Sequence, residues 1–173
     1  MDSMVKQRAV SVHLLCGVPG AGKTTFARQL CARLGNARRF SLDEMMHQRH
    51  GADPAVENFS QTFAEIEAQV WLMAGVHIAA GKQVIIDGGY WTKRHRDNAR
   101  NKAAQLGVPL NLYWLATDLE LCRQRVLQRS QQVPTDSLYI DQNAFDLFSA
   151  QFEVPSTDEQ ARIIRNSGSA DRI

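Results

Sequence analysis

The sequence predicts an α/β domain with a mostly parallel sheet and helices on both of its faces. Short apolar runs alternate with longer stretches of helical periodicity along the 173 residues, which is the pattern of βαβ crossovers. A glycine-rich segment, residues 17–24, joins the first apolar run to the first helical stretch. Because the chain has the length of one domain with one core, we expect a single domain over residues 1–173.

The first part of the chain predicts two strands and two helices. Residues 10–16 are almost all apolar, which favours a strand that is buried on both faces. Residues 22–34 predict a helix that ends near a glycine, and residues 38–42 predict a short second strand. A long helix is predicted over about 54–80, because apolar residues recur there at helical spacing.

The second part continues the alternation. Residues 83–87 and 110–115 predict the third and fourth strands, and residues 93–106 between them predict a basic helix. A further helix is predicted over 118–128. The remaining predictions are a polar lid loop at 130–140, a helix at 142–152, a last strand at 161–165, and frayed ends at 1–8 and 167–173.

Composition narrows the class of protein. The formal net charge of +2 neither requires nor excludes a nucleic-acid partner. Cys16, Cys31 and Cys122 have no metal-like spacing, which favours reduced structural thiols and a cytoplasmic protein. The sequence has neither a signal-peptide pattern nor an apolar run long enough to span a membrane, so we expect no membrane partner.

The glycine-rich segment matches G-x-x-x-x-G-K-[ST], the Walker A phosphate-binding motif. Its glycines let the backbone curl so that N–H groups point at phosphate oxygens, and the helix behind it adds partial positive charge. Lys23 would reach the β- and γ-phosphates, and the Thr24 hydroxyl would hold Mg²⁺. The predicted nucleotide-binding residues are Gly17, Pro19, Gly20, Ala21, Gly22, Lys23, Thr24 and Thr25.

Asp43 directly follows the predicted second strand, at the edge of the sheet where the phosphate loop lies. A carboxylate there would accept the proton of an attacking hydroxyl or orient that hydroxyl. The alternative is a local structural role, in which Ser41 or Asp43 caps a helical turn at residues 44–47.

Asp87 ends the apolar run of residues 84–86, which is the Walker B pattern of a strand that terminates in an acid. Its carboxylate would bind Mg²⁺, directly or through water, or contact the substrate. The alternative is a turn residue before Gly88 and Gly89. Motor-type ATPases place an acid after this aspartate to activate water, whereas Gly88 stands here, so transfer to a bound acceptor is favoured over hydrolysis.

Two further groups of residues carry positive charge. Arg125 and Arg129 lie one turn apart on the predicted helix before the lid loop, where they would either stabilise a transferring phosphoryl group or form a solvated face. Tyr90 and Trp91 precede the basic helix of residues 93–106, and together with Arg96 they are candidate contacts for an anionic or sugar-like acceptor. A solvated basic face is again the alternative.

The chain resembles the small P-loop kinases, a group that includes zeta-toxin-like, chloramphenicol phosphotransferase-like, gluconate kinase-like and polynucleotide-kinase-like enzymes. The similar segments are residues 17–24, residues 41–43, residues 84–87, Leu121-x-x-x-Arg125-x-x-x-Arg129, and residues 146–159, which are similar to the AAA-type ATP-binding branch. The resemblance implies a three-layer P-loop NTPase fold with a five-stranded sheet of order 2-3-1-4-5, ATP with Mg²⁺, and a lid that carries arginine. It implies that Asp43 activates the acceptor and that Arg125 and Arg129 are the lid-side arginines.

The function predicted from these residues is transfer of the γ-phosphate of ATP to a hydroxyl group of a small molecule. A polynucleotide 5′-hydroxyl kinase and a non-catalytic ATP-binding regulatory module are the alternatives. Some members of the group carry an arginine three residues after the aspartate that corresponds to Asp43, and Met46 stands at that position here. This difference favours a small-molecule acceptor over nucleic acid.

Overall fold

The computed structural model describes residues 9–51, 59–132 and 138–165. The predicted frayed ends at 1–8 and 167–173, residues 54–58 of the predicted long helix, and residues 133–137 of the predicted lid loop lie outside the described residues. The strands are β1 (Val12–Cys16), β2 (Ala37–Ser41), β3 (Gln83–Asp87), β4 (Leu110–Leu115) and β5 (Arg162–Ile164). The helices are α1 (Lys23–Leu34), α2 (Leu42–His50), α3 (Phe59–Ala79), α4 (Lys93–Gln105), α5 (Leu119–Ser130) and α6 (Gln142–Ala150).

The strands form one parallel sheet in the order β2-β3-β1-β4-β5, which confirms the predicted fold class and strand order. Every residue of β1 is buried, as its almost entirely apolar sequence predicts for a central strand of a parallel sheet. Since all five strands run the same way, their carboxyl ends share one edge of the sheet, and the segments that follow β1, β2 and β3 meet there.

The core has two layers because side chains alternate across the sheet. Leu14 and Ile86 pack on one face, with Val70 of α3. Leu15 and Ile85 pack on the other face, where α1 and α5 lie. Asp87 follows Ile85 by two residues and therefore faces the α1 layer, the side on which the phosphate loop leads into its helix.

One element is longer than predicted. The sequence indicated only a capped turn at residues 44–47, whereas α2 is a complete helix from Leu42 to His50. The helix begins directly at the end of β2 and ends at Gly51, whose N–H bonds to the carbonyl oxygen of His47. The helix has few apolar residues, and only Leu42 and Met46 are buried along its length. Weak periodicity of this kind does not reveal a helix in a sequence.

The predictions about the cysteines and about membrane-spanning segments can be compared with the structure. Cys16, Cys31 and Cys122 are all free cysteines, and burial raises the pKa of Cys16 to about 12, so this thiol is an inert part of the core. Among the helices within residues 9–51, 59–132 and 138–165, none has the length and apolar character needed to cross a bilayer.

Candidate phosphate-binding and phosphotransfer site

The loop between β1 and α1 has a backbone conformation and a close contact with α5 that require glycine. Gly20 has a φ of +80°, and a Cβ atom on it would lie 2.4 Å from the carbonyl oxygen of Cys122 in α5. Any larger residue would therefore push the loop away from α5. The Thr117 hydroxyl donates to the carbonyl oxygen of Ala21 at 2.7 Å, which fixes the same loop to the segment after β4.

Lys23 is anchored on its own loop. Its ammonium group donates to the carbonyl oxygens of Gly17 at 2.9 Å and Val18 at 2.8 Å. Burial lowers the pKa of Lys23, and the carboxylates of Asp43 and Asp87 oppose that shift. A positive charge is thereby held over the N-terminus of α1, where the helix dipole has the same sign and an anion is favoured.

Asp43 lies in the first turn of α2, and it does not cap the helix. That role belongs to Ser41, whose hydroxyl oxygen accepts a bond from the backbone N–H of Glu44 at 3.2 Å. Asp43 is an exposed residue, and the protein atoms that crowd its carboxyl group on one side raise its pKa by partial desolvation. The positive charges of Lys23 and Arg129 oppose this shift.

Asp87 is buried at the end of β3, with only 3% of its surface exposed. Desolvation raises its pKa, and so does the negative charge of Asp43, while Lys23, Arg39 and a hydrogen bond from Thr24 act in the opposite direction. We refer to Lys23, Asp43, Asp87 and Arg129 as the Lys23 cluster, because each influences the ionisation of at least one other member.

The donor set at the end of β3 fits Mg²⁺. The Thr24 hydroxyl is close enough to the Asp87 carboxylate to lower its pKa, so two hard oxygen donors lie near each other next to the phosphate loop. Within the described ranges, no group of three or more His, Cys, Asp and Glu side chains is arranged to hold a metal. Magnesium is usually bound by one or two protein oxygens together with phosphates and water, which is the number that Thr24 and Asp87 would supply.

Sequence reasoning missed Arg39. This residue lies on β2, and its guanidinium group donates to Asp87 Oδ2 at 2.9 Å and to Glu44 Oε1 at 2.5 Å. Glu44 also accepts a bond from Arg28 of α1 at 3.3 Å. The only signal in the sequence is alternation along β2, which puts Arg39 on the face opposite Phe40; that signal does not say which acid lies opposite.

The candidate lid-side arginines differ in position. Arg125 donates to the carbonyl oxygen of Gly20 at 3.4 Å and is partly buried against the phosphate loop. Arg129, one turn further along α5, is exposed and acts on Asp43 through its charge. The helix therefore presents both arginines to the loop side of the sheet, one to the loop itself and one towards the end of β2.

Tyr90 and Trp91, two of the candidate acceptor contacts after β3, pack against the helices α3 and α6. Tyr90 is 1% exposed, and its hydroxyl donates to Glu67 at 3.2 Å. Trp91 is partly buried and stacks on Phe148, with ring centroids 4.7 Å apart. The surroundings of Tyr90 and Trp91 fit packing between helices better than the predicted contact with an acceptor.

Arg96 is the clearest departure from the predicted acceptor contacts, because it is completely buried. Two of its nitrogens donate to the two carboxylate oxygens of Glu159, at 2.7 and 2.9 Å, and a third donates to the carbonyl oxygens of Tyr90 and Trp91. A buried and bonded guanidinium group does not line an open substrate site. The signal that identifies Arg96 as buried is its spacing from Ala99 and Ala103, which form one stripe on α4.

The basic residues of α4 are also largely paired. Lys93 bonds to Asp97 and Asp158 at 3.2 and 3.1 Å, Arg100 bonds to Asp97 at 2.8 Å, and Lys102 lies 3.8 Å from Glu67. These acids neutralise much of the charge that the sequence presents as a basic face. The observation weakens the case for a nucleic-acid backbone on this helix.

A separate pocket of about 690 Å³ opens on the other side of the phosphate loop, at the ends of β4 and β5. It touches the loop only at Val18 and has none of the Lys23 cluster in its wall. Its lining is mostly apolar and comprises Val18, Trp114, Leu115, Ala116, Thr117, Asp118, Leu119, Ser149, Phe152, Val154 and Arg165. The charged groups suited to phosphate chemistry thus lie on the β2–β3 side of the loop.

Comparison with known proteins agrees with this architecture. The family model of the AAA domain, AAA_33, matches residues 12–155. No curated protein matched the sequence. Kti12 of Chaetomium thermophilum, solved with ADP-AlF3, has 16% identity and a TM-score of 0.69, with 92% of this chain and 90% of that chain covered.

Two kinases have similar folds. A gluconokinase from Sinorhizobium meliloti has 14% identity and a TM-score of 0.61, with 92% of this chain and 85% of that chain covered. The APS kinase CysC of Mycobacterium tuberculosis, solved with AMPPNP and APS, has 14% identity and a TM-score of 0.63, with 93% and 91% covered. At these identities the likeness concerns the fold.

Proposed function

Because the chain belongs to the AAA domain family AAA_33, we propose that it binds ATP with Mg²⁺ and transfers the γ-phosphate to a hydroxyl group of a small molecule. The observation that carries this proposal is the position of Asp43. Its carboxylate shares its electrostatic surroundings with Lys23 of the phosphate loop and Arg129 of α5. A proton acceptor under the influence of two cations that would bind phosphate supports transfer to an alcohol.

The phosphate groups would bind at the N-terminus of α1, against the backbone N–H groups of the loop. Lys23 would exchange its bonds with the carbonyl oxygens of Gly17 and Val18 for bonds with phosphate oxygens. Thr24 and Asp87 would hold Mg²⁺, which when bound neutralises charge on the β- and γ-phosphates. Burial of Asp87 excludes competing water from that side.

Asp43 would act on the acceptor. As the acceptor oxygen forms its bond to the γ-phosphorus, its proton passes to the Asp43 carboxylate, and the bond from phosphorus to the β–γ bridging oxygen breaks to release ADP. The raised pKa of Asp43 suits this role, because a more basic carboxylate is a better proton acceptor near neutral pH. Lys23 and Arg129 would stabilise the negative charge that spreads over the transferring oxygens.

Three relatives by fold support phosphoryl transfer as the reaction class. Two of them are described as a gluconokinase and an APS kinase, and Kti12 was solved with ADP-AlF3. Those names describe those proteins, and the identities leave the acceptor of this chain open. We infer a small acceptor because Met46 is buried where polynucleotide-kinase-like proteins place an arginine, and because the basic face of α4 is paired with acids.

The test is transfer of labelled γ-phosphate from ATP to a panel of sugars, sugar acids, nucleosides and 5′-hydroxyl oligonucleotides. We expect a small hydroxyl compound to be labelled and Asp43→Asn to lower the rate roughly 10²- to 10⁴-fold. Glu120→Gln, a change at an exposed carboxylate on α5, is the matched control and should leave the rate unchanged. Labelling of oligonucleotides alone, or full activity in Asp43→Asn, would contradict the proposal.

A further inference from the structure

Arg39 joins Asp87, a member of the Lys23 cluster, to Glu44. One guanidinium nitrogen donates to Asp87 Oδ2 at 2.9 Å, and another donates to Glu44 Oε1 at 2.5 Å. Glu44 is the neighbour of Asp43 in the first turn of α2, and Asp87 is the proposed Mg²⁺ ligand on β3. A single side chain therefore bridges the ends of two neighbouring strands.

The register of the sheet explains how Arg39 reaches both acids. In the β2–β3 pairing, Ser41 lies opposite Asp87 and Arg39 lies opposite Ile85. Arg39 is thus two residues from the position opposite Asp87 and faces the same side of the sheet, so its long side chain runs along the strand to the carboxylate. The side chain of Arg39 is 15% exposed, and that of Asp87 is 4% exposed.

This position puts Arg39 in competition with a metal. A guanidinium group and Mg²⁺ both seek the oxygens of Asp87, and two cations close together repel each other. Arg39 has an alternative partner, because its bond to Glu44 is already made and Glu44 is 24% exposed and able to follow it. The guanidinium group therefore keeps a carboxylate partner, Glu44, when it leaves Asp87.

We propose that Arg39 is a positioning residue that holds Asp87 while the site lacks metal and withdraws to Glu44 when Mg²⁺ enters, so that the Arg39–Glu44 pair sets how much Mg²⁺ the site requires. The proposal rests on the proposed function, because it takes Asp87 as a ligand of nucleotide-bound Mg²⁺. It goes beyond that function by assigning roles to two residues that need not touch ATP or the acceptor.

Two substitutions on β2, one at Arg38 and one at Arg39 itself, serve as controls. Arg38 lies on the same strand, is exposed, and has its guanidinium carbon 5.7 Å from the centre of the Phe40 ring. Arg38→Gln therefore removes the same charge from the same strand without touching Asp87. Arg39→Lys keeps the charge at the critical position but replaces a planar group that bridges two acids with a single point cation.

The measurement is the affinity of a fluorescent ADP analogue at a series of free Mg²⁺ concentrations. Arg39→Gln should lower about tenfold the Mg²⁺ concentration that gives half-maximal enhancement of ADP-analogue affinity, because the competing cation is gone. Glu44→Gln should raise it roughly three- to fivefold, because Arg39 loses its alternative partner. Arg38→Gln and Arg39→Lys should stay within about threefold of the wild type. Thermal unfolding of each variant checks that the fold is intact.

The double variant Arg39→Gln/Glu44→Gln separates the proposal from simple charge effects. If Glu44 acts through Arg39, its substitution should have little effect once Arg39 is absent. An undiminished effect of Glu44→Gln in the double variant would overturn the proposal, as would an unchanged or increased Mg²⁺ requirement in Arg39→Gln. Should Arg39→Gln fail to fold, the sign of the shift in Glu44→Gln decides, and a lowered requirement there overturns the proposal.

The same measurements separate a failure of the role of Arg39 from a failure of the proposed function. If the wild-type protein binds the ADP analogue with Mg²⁺ dependence but Arg39→Gln behaves like the wild type, the role of Arg39 is refuted and the proposed function still stands. Wild-type protein that binds no ADP analogue at all would refute both. Loss of phosphoryl transfer with normal Mg²⁺-dependent ADP binding would count against the proposed reaction alone.

Discussion

Two of the arginine–carboxylate pairs, Arg96–Glu159 and Arg39–Asp87, differ in nearly every physical respect. Arg96 and Glu159 are both buried, and both oxygens of Glu159 accept bonds from Arg96, at 2.7 and 2.9 Å. Arg39 touches Asp87 through one bond and shares its guanidinium group with Glu44. We call the first pair closed, because further bonds from Arg100 and from the N–H of Ser156 complete the carboxylate of Glu159. We call the second pair open, because Arg39 divides its bonds between Asp87 and Glu44.

The pKa shifts of the two carboxylates have opposite signs. Burial opposes the ionisation of Glu159, but the bonds from Arg96 and from the N–H of Ser156 outweigh it and lower the pKa of Glu159 from 4.5 to about 2. For Asp87, burial and the charge of Asp43 outweigh Lys23, Arg39 and Thr24, and the pKa is raised. A buried carboxylate whose pKa stays raised lacks sufficient positive charge around it and is a candidate metal ligand. One whose pKa is depressed is already stabilised by its partners, and we call such a stabilising pair a structural lock.

The largest expected effect separates the two pairs by activity. Asp87→Asn removes the charge that would hold Mg²⁺, so phosphoryl transfer from ATP to an accepted alcohol should fall on the order of 10²- to 10³-fold. Glu159→Gln should leave the rate per folded molecule within about threefold, because the bonds of the Glu159 carboxylate go to Arg96, Arg100 and Ser156 and to no member of the Lys23 cluster. Initial rates at saturating ATP and Mg²⁺ provide the comparison, and equal losses in both variants would erase the distinction.

The sequence predicts the open pair only in part. Asp43 and Asp87 could be selected because each ends or follows a strand next to a Walker A loop, and a parallel sheet brings such ends together. Arg39 could not, since its contact with Asp87 depends on the register of β2 against β3, and alternation along a strand specifies a face but not a partner.

The closed pair was missed for a different reason. Arg96 stands in a helix with many basic residues, and its local sequence suggests a solvated face or an acceptor contact. Its partner lies 63 positions later, in a short 3-10 turn of residues Thr157–Glu159 that has little periodicity to detect. Long-range ion pairs of this kind follow from how the chain returns to the sheet, which local patterns do not contain.

The second prediction concerns the stability of the closed pair. Glu159→Gln should lower the free energy of unfolding by about 3–5 kcal/mol, because it leaves the buried Arg96 charge without a compensating anion. The amide NH₂ of glutamine would also face donors, since both oxygens of Glu159 accept bonds in the native protein. Urea unfolding at neutral pH measures the loss, and a change below about 1 kcal/mol would show that the pair is not a lock.

The third prediction uses pH to titrate the same lock. Because the folded pKa of Glu159 is depressed from 4.5 to about 2, its contribution is complete above pH 4.5 and disappears as the pH falls towards 2. The shift corresponds to about 3 kcal/mol. Asp43 and Asp87 have raised pKa values and partly offset this loss. Urea unfolding between pH 6 and 2.5 should therefore show a clearly shallower acid dependence in Glu159→Gln; parallel curves would contradict the assignment.

The smallest expected effect is the one that distinguishes the pairs most sharply, and it is the stability of Asp87→Asn. A raised folded pKa means that the ionised form of Asp87 is disfavoured in the native state, so removing its charge relieves a cost at neutral pH. Arg39 keeps its bond to Glu44, and the asparagine oxygen can still accept from it. Asp87→Asn should therefore unfold within about 0.5 kcal/mol of the wild type or be more stable, which is the usual balance at residues kept for activity. Urea unfolding of Asp87→Asn beside Glu159→Gln makes the comparison, and a loss above about 1.5 kcal/mol would mean that Asp87 is structural, as Glu159 is.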